Sequence, residues 1–277
     1  MNKMREFLLL GILSSSVVLS ANLSPDLRSG LIGYYSFNGT LLDTTDGLNQ
    51  MVNYGTTFSP GPIPGQSALA FSNGQYGAIR GLGSKINDAV TVSAWYKFDP
   101  GLMAPLEYGS GFKAVMYSGT LPDGSNPCFR INAQISQGQS MVHFQLNLGD
   151  SNFPLQNPSF LVESDVWNYI TLAVQAGSNP AWRFYVNGVL CDSGANGVPS
   201  SLNFGYDYGV GSTIEAGTAY WGTFSNGGMA NLAFYDRALD SLEVTELFAI
   251  ESIPEPSALS LFAVGLCGLV IFRRRPS

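Results

Sequence analysis

A chain of 277 residues, 45 % of them apolar, is long enough for one large domain with a substantial core. Charged residues are only 12 % of the chain, about half the usual share. The formal net charge of −7 leaves no basic stripe for phosphate contacts, which argues against nucleic acid as a partner.

In chain order, residues 1–21 read MNKMREFLLLGILSSSVVLSA. Lys3 and Arg5 precede an apolar run from Phe7 to Leu19, which Ser20 and Ala21 close. This is the pattern of a secretory signal peptide, too short and too soon ended for a spanning helix. The mature chain is expected to leave the cytoplasm. Lys3, Arg5 and Arg273–Arg275 are five of the 13 basic residues, so the exported body is more acidic than the whole chain. That favours solubility and argues against binding anionic surfaces.

Residues 22–252 contain no repeat and no long Ser/Pro linker, so one domain is expected there. Strands are predicted over Leu31–Phe37, Ala68–Ser72, Tyr76–Arg80, Val90–Phe98, Lys113–Ser118, Phe129–Ile135 and Met141–Leu148. Further strands are predicted over Trp167–Gln175, Trp182–Val186, Ser212–Ala216 and Met229–Tyr235. Each alternates or runs apolar and is bounded by Gly, Pro, Asn or Asp. Asn187-Gly188 suits a two-residue type I′ hairpin turn, since both residues accept φ > 0. Only one helix is predicted: Asp240 caps SLEVTELFAI, with Glu243 at the capping-box position. Many strands and one late helix give an all-β, antiparallel jelly-roll sandwich.

Five segments in order carry a resemblance. They are GLIGYYSFNGTLLDTTDGLN, SALAFSNGQYGAI, VTVSAWYKF, VWNYITLAV followed by RFYVNGVL, and GGMANLAFYDRALDSLEVTEL. Together they resemble laminin G-like, concanavalin A-like domains over about residues 30–250. The resemblance implies a structural calcium ion (Ca2+) near Asp43, backbone oxygens of Asn73 and Gly74, and Asn231. Where the family carries an acidic pair on the closing strand, this chain has Ala230-Asn231. Asp43 and Asp46 read equally well as turn residues making Asx hydrogen bonds.

Catalytic chemistry has little to work with. His143 is the only histidine and lies in strand-like MVHFQLNL, without a G-x-S-x-G elbow or matched Asp. One His and two separated Cys give no zinc spacing. Retaining glycosidases need two carboxyl groups about 5–5.5 Å apart, which Glu-x-Asp-x-Glu on one strand delivers. Glu163-Ser164-Asp165-Val166-Trp167 has Trp167 in place of the last Glu. The body is therefore expected to be a non-catalytic binding or matrix-associated protein with a carbohydrate or protein ligand, and a secreted glycoside hydrolase or polysaccharide lyase is the alternative. Cys128 and Cys191 either pair or sit as two buried small hydrophobes. Trp182, Trp221, Tyr206, Tyr208 and Tyr220 either form a platform for sugar rings or pack as core.

The tail, PEPSALSLFAVGLCGLVIFRRRPS, has no charge from Ser257 to Phe272. That is roughly 24 Å of helix, slightly short for a bilayer core of about 30 Å. Arg273, Arg274 and Arg275 hold the chain end on the cytoplasmic side, and Pro254 and Pro256 break any helix arriving from the body. Proline motif, apolar helix and arginine cluster in that order resemble the PEP-CTERM sorting tail of bacterial exported proteins. The resemblance covers residues 253–275, with Pro254, Glu255 and Pro256 as its motif. It implies an exosortase as partner and delivery to the cell surface or an extracellular polysaccharide matrix, after transient anchoring by a C-terminal transmembrane helix. A plain C-terminal anchor is the other reading. The organisation is thus 1–21 signal peptide, 22–252 sandwich domain and 253–277 sorting tail.

Overall fold

A computed structural model describes residues 23–72, 74–98, 112–118, 129–135, 141–148, 160–163, 165–195, 207–211, 214–215, 218–219 and 226–253. The strands are β1 (Leu31–Tyr35), β2 (Met51–Tyr54), β3 (Thr57–Pro60), β4 (Ser67–Phe71), β5 (Tyr76–Arg80), β6 (Ala89–Phe98), β7 (Phe112–Ser118), β8 (Phe129–Ile135) and β9 (Met141–Leu148). They continue with β10 (Phe160–Glu163), β11 (Asn168–Gln175), β12 (Trp182–Val186), β13 (Val189–Gly194), β14 (Asp207–Val210), β15 (Ile214–Glu215), β16 (Thr218–Ala219) and β17 (Gly227–Tyr235). Two short helices, α1 (Pro25–Arg28) and α2 (Ser241–Glu251), flank this set.

Among the described residues, eight strands form the larger sheet in the order β13-β12-β11-β6-β17-β4-β3, with β1 also paired to β17. Seven form a second sheet, β10-β9-β8-β7-β14-β5-β2, and every pairing is antiparallel. Strand alternation decides what each face meets. Val90, Val92, Ala94, Tyr96 and Phe98 of β6 point inward, with Ile170, Leu172 and Val174 of β11. They meet Met51, Ile79, Tyr208 and Val210 of the second sheet in one buried cluster. Each such side chain contributes about 1.5–3 kcal/mol by leaving water. This is the predicted antiparallel sandwich.

The outer face of the larger sheet carries a second cluster. Tyr34, Trp95, Tyr169, Tyr185 and Tyr235 stand on the sheet, and Val244 and Leu247 of α2 close over them with Leu23 and Leu27 from the α1 segment. Helix α2 starts as predicted: Asp240 accepts from the Leu242 and Glu243 amides at 2.9 and 3.0 Å, and Glu243 accepts from the Asp240 amide at 2.9 Å. The Asn187-Gly188 turn is also found, with φ of 50° and 77°. Asn187 Oδ1 accepts from the Tyr169 amide at 2.8 Å, tying the hairpin to the neighbouring strand. The prediction of a single helix missed α1, where Ser24 accepts from the Leu27 amide at 3.3 Å and Pro25 pre-sets the first turn.

Candidate functional site

Register places a row of small residues across one half of that outer face. Thr57 of β3 lies opposite Ala70 of β4, Ala70 opposite Gly228 of β17, and Gly228 opposite Lys97 of β6. Above this row is a cavity of about 360 Å³. Its floor is Ala70, Phe71, Gly227 and Gly228, and its rim is Thr57, Ser59, Ser72, Gln75 and Lys97. Gly227 is required there: its φ is +142°, and an added Cβ would sit 1.9 Å from the Lys97 carbonyl oxygen. At Gly228 an added Cβ would come within 2.7 Å of the Trp167 indole, so the ring rests on the sheet through the missing side chain. The Lys97 ammonium lies 5.8 Å from that ring's centroid and 3.1 Å from an Asp165 carboxylate oxygen. Gln75 Oε1 accepts from the Ser72 amide at 3.1 Å, which fixes the rim at the turn that carries the chain from β4 in one sheet to β5 in the other.

A second polar cluster is the turn after β1. Asp43 is only 4 % exposed. Its Oδ1 accepts from the Tyr34 amide, the Thr45 amide and the Thr45 hydroxyl at 3.1, 3.0 and 2.6 Å. Its Oδ2 is buried without a hydrogen bond. Asp46 accepts from the Leu48 amide at 2.9 Å and pairs with Lys85 at 2.6 Å. That Lys85 hydrogen bond is the main cause holding the Asp46 carboxyl below its ordinary value. Burial, reinforced by the charges of Asp43 and Asp46, pushes the Tyr35 phenol far above its own. Both aspartates thus make the Asx bonds that the sequence offered as one reading.

The other residues assigned to calcium lie elsewhere. Asn231 is the extra residue of a bulge between Ala230 and Ala233, with φ of 51°. Its amide donates to Glu251 Oε2 under α2. Gly74 sits in the β4–β5 connection beyond Phe71, which pairs with Gly227. Asn231 lies four positions along β17 from Gly227, about 13 Å along the strand. Asn73 lies outside the described residues. Gly74 and Asn231 are therefore not gathered into one coordination sphere, and no three His, Cys, Asp or Glu among the described residues cluster to hold a metal.

Glu163 and Asp165 do not share a strand face. Glu163 ends β10, opposite Met141 of the smaller sheet, whereas Asp165 pairs with Lys97 of the larger one. His143 lies mid-strand on β9, opposite Gln134 and Leu161. Trp182 and Tyr208 belong to the buried core, at 5 % and 0 % exposure, which rules them out as a sugar platform. Trp221, Tyr206 and Tyr220 lie outside the described residues. Cys191 has no disulfide partner among the described residues, burial raises its thiol pKa, and Cys128 is likewise outside the described residues.

Sequence reasoning also missed Glu251, the last residue of α2. It is 1 % exposed. Its carboxylate accepts from the Tyr34 hydroxyl at 3.3 Å and from Asn231, and its carbonyl accepts from the Trp95 indole at 3.3 Å. A carboxylate at a helix end reads as solvated. Only the return of Tyr34, 217 residues earlier, reveals the burial.

Residues 71–245 match the model of a family described as the concanavalin A-like lectin/glucanases superfamily. The chain belongs to that superfamily. Residues 252–275 match the PEP-CTERM protein-sorting motif, which implies export and surface sorting through an exosortase-type system. Pro254, Glu255, Pro256, Arg273, Arg274, Arg275 and the expected transmembrane helix lie outside the described residues, as does the expected signal peptide. A search of curated proteins returned no match. Solved structures share the fold. Domain 4 of AbnA, a GH43 extracellular arabinanase from Geobacillus stearothermophilus in complex with arabinotriose, is 19 % identical, with a TM-score of 0.51 over 79 % of this chain and 98 % of that one. A Trypanosoma rangeli sialidase mutant displaying trans-sialidase activity is 16 % identical, with a TM-score of 0.57 over 81 % of this chain and 34 % of that one. The binding domain of Paraclostridial Mosquitocidal Protein 1 is 14 % identical, with a TM-score of 0.56 over 80 % of this chain and 52 % of that one. Superfamily membership thus covers enzymes and binding domains alike, and function rests on the site.

Proposed function

We propose that this protein is an exported, non-catalytic binding protein of the cell surface or extracellular polysaccharide matrix, with carbohydrate as its ligand. In this reading the signal peptide is removed, the C-terminal helix anchors the chain in the membrane, and an exosortase then cuts near Pro254–Pro256. The observation that carries it is the junction at Glu251. The buried Glu251 carboxylate closes the sandwich three residues before Pro254, so the sorting motif hangs from a fold already complete. Such a tail is a removable handle on a finished cargo. Mass spectrometry of the C-terminus from producing cells tests this: a chain ending near Pro254–Pro256 is expected, and one ending at Ser277 overturns the sorting step.

Trp167 standing where a Glu-x-Asp-x-Glu string would carry its last carboxylate supports the non-catalytic assignment, because acid and base must flank one bond. Reducing ends released from β-glucans, or unsaturated ends from alginate, would overturn it. Calcium enters this reading only as a structural ion at the Asp43 turn, where Oδ2 offers an unclaimed buried oxygen. Calcium is then expected to raise the melting temperature of the wild type and not of Asp43→Asn.

A further inference from the structure

We infer that a neutral polysaccharide chain binds on the outer face of the larger sheet, in the groove between β3 and the Trp167 indole. This rests on the proposed carbohydrate-binding function and assigns that function a place. Among the described residues the cap of that face stops short: α2, Leu23 and Leu27 cover the half around Trp95 and Tyr169, and the half around Gly228 has Ala70, Gly227 and Gly228 as the floor of the groove. A floor of backbone and methyl groups lets a sugar ring approach the sheet closely. At about 360 Å³ the cavity lies within the range of ligand sites, roughly 300–1,000 Å³, and takes a short segment of a polymer that continues beyond it at both ends.

The groove and its border supply the two chemistries a sugar presents. Its C–H face stacks on an aromatic ring, and the half-buried Trp167 indole stands beside the cavity, over Gly228 and next to Lys97, two residues that line it. Its hydroxyls need donors and acceptors, and Thr57, Ser59, Ser72 and Gln75 line the opposite end. The Lys97–Asp165 pair offers both a donor and an acceptor to adjacent hydroxyls. The same pair argues for neutrality. Asp165 already balances the Lys97 charge, and the chain as a whole is at −7, so a uronate or sulfate group would enter without a free cation to meet it. A protein strand added to the β3 edge is disfavoured by Pro60, which ends that strand and has no N–H to donate.

The test uses the full-length chain, purified in detergent micelles, titrated with arabinan, mixed-linkage β-glucan and galactomannan, and with alginate as the anionic polymer. Two variants probe the groove from opposite ends. Trp167→Ala removes the ring, and Ser59→Trp fills the cavity from β3 without touching Trp167. Binding of at least one neutral polymer is expected, weakened about tenfold or more in both variants, with the Ser59→Trp melting temperature unchanged. Neutral-polymer binding of wild-type strength in Ser59→Trp overturns the site while leaving the carbohydrate reading standing. Alginate binding tighter than any neutral polymer overturns the ligand class. No polysaccharide bound by the wild type overturns both. Variants that alter only self-association mark the groove as a protein contact and overturn it as well.

Discussion

The two halves of the larger sheet's outer face are built on the same strands and treated oppositely. Around Trp95 and Tyr169 the sequence places large aromatics, and α2 docks on them through Val244, Leu247 and Phe248. Two residues further along β6 and β17 it places Lys97 and Gly228, and no described helix covers them. An aromatic surface demands a lid, because its burial is what stabilises the fold. A surface of glycine, alanine and hydroxyl groups tolerates water and stays open to a ligand. One sheet thus separates a capped half from an open one by a shift of two residues along each strand.

Mutations on either side of this divide should behave differently, and the largest effect belongs to the capped half. Leu247→Ala removes a side chain that is 1 % exposed and should cost about 3 kcal/mol in urea denaturation. A cost below about 1 kcal/mol would mean that the cap contributes little to the fold. Asn231→Ala removes the amide that donates to the buried Glu251 carboxylate and forces a residue that disfavours left-handed backbone into the bulge. About 2 kcal/mol is expected. Hydrogen exchange should localise the loss to α2 and β17. On the open half, Trp167→Ala should cost only about 1 kcal/mol, since the ring is half-buried and leaves a surface notch rather than a cavity. A loss as large as that of Leu247→Ala would erase the contrast between the halves.

The smallest effect lies away from both, at Asp46. Lys85 holds its folded carboxyl below the ordinary 3.8, so its contribution is present above that value and lost as pH falls through the depressed one. The pair is partly exposed, so Asp46→Asn should cost a few tenths of a kcal/mol at neutral pH, less at high salt, and nothing once pH has fallen below the depressed value.

Legibility followed the same divide between local and long-range causes. The α2 capping box and the Asn187-Gly188 turn were readable because three or four consecutive residues determine them. Strands β5, β8, β9 and β12 fell on their predicted bounds because apolar runs ended at turn residues on both sides. Edge strands β2 and β3 were missed: MVNY and TFSP show no clean alternation, and an edge strand needs none when one side faces water. Trp167 was read only as the start of a strand. Its seat on Gly228 follows from the register of β11, β6 and β17 together, which no window of sequence contains. Asn231 was assigned by family position, but the bulge turns its side chain toward α2 and Glu251.

The Glu251 latch also sets how force enters the molecule. A pull on the sorting tail arrives at Ile253 and meets Glu251 before it can unwind α2 from its end. Through the Asn231 amide the load passes to β17, which β6 and β1 flank, and so acts as shear across paired strands rather than as peeling of one helix. Only Ser252 and Ile253 stand in sequence between that latch and Pro254, and both amides still bond back to α2, to the Phe248 and Ile250 carbonyls. A load that reaches Ile253 therefore meets the folded cargo at once, with almost no slack between them.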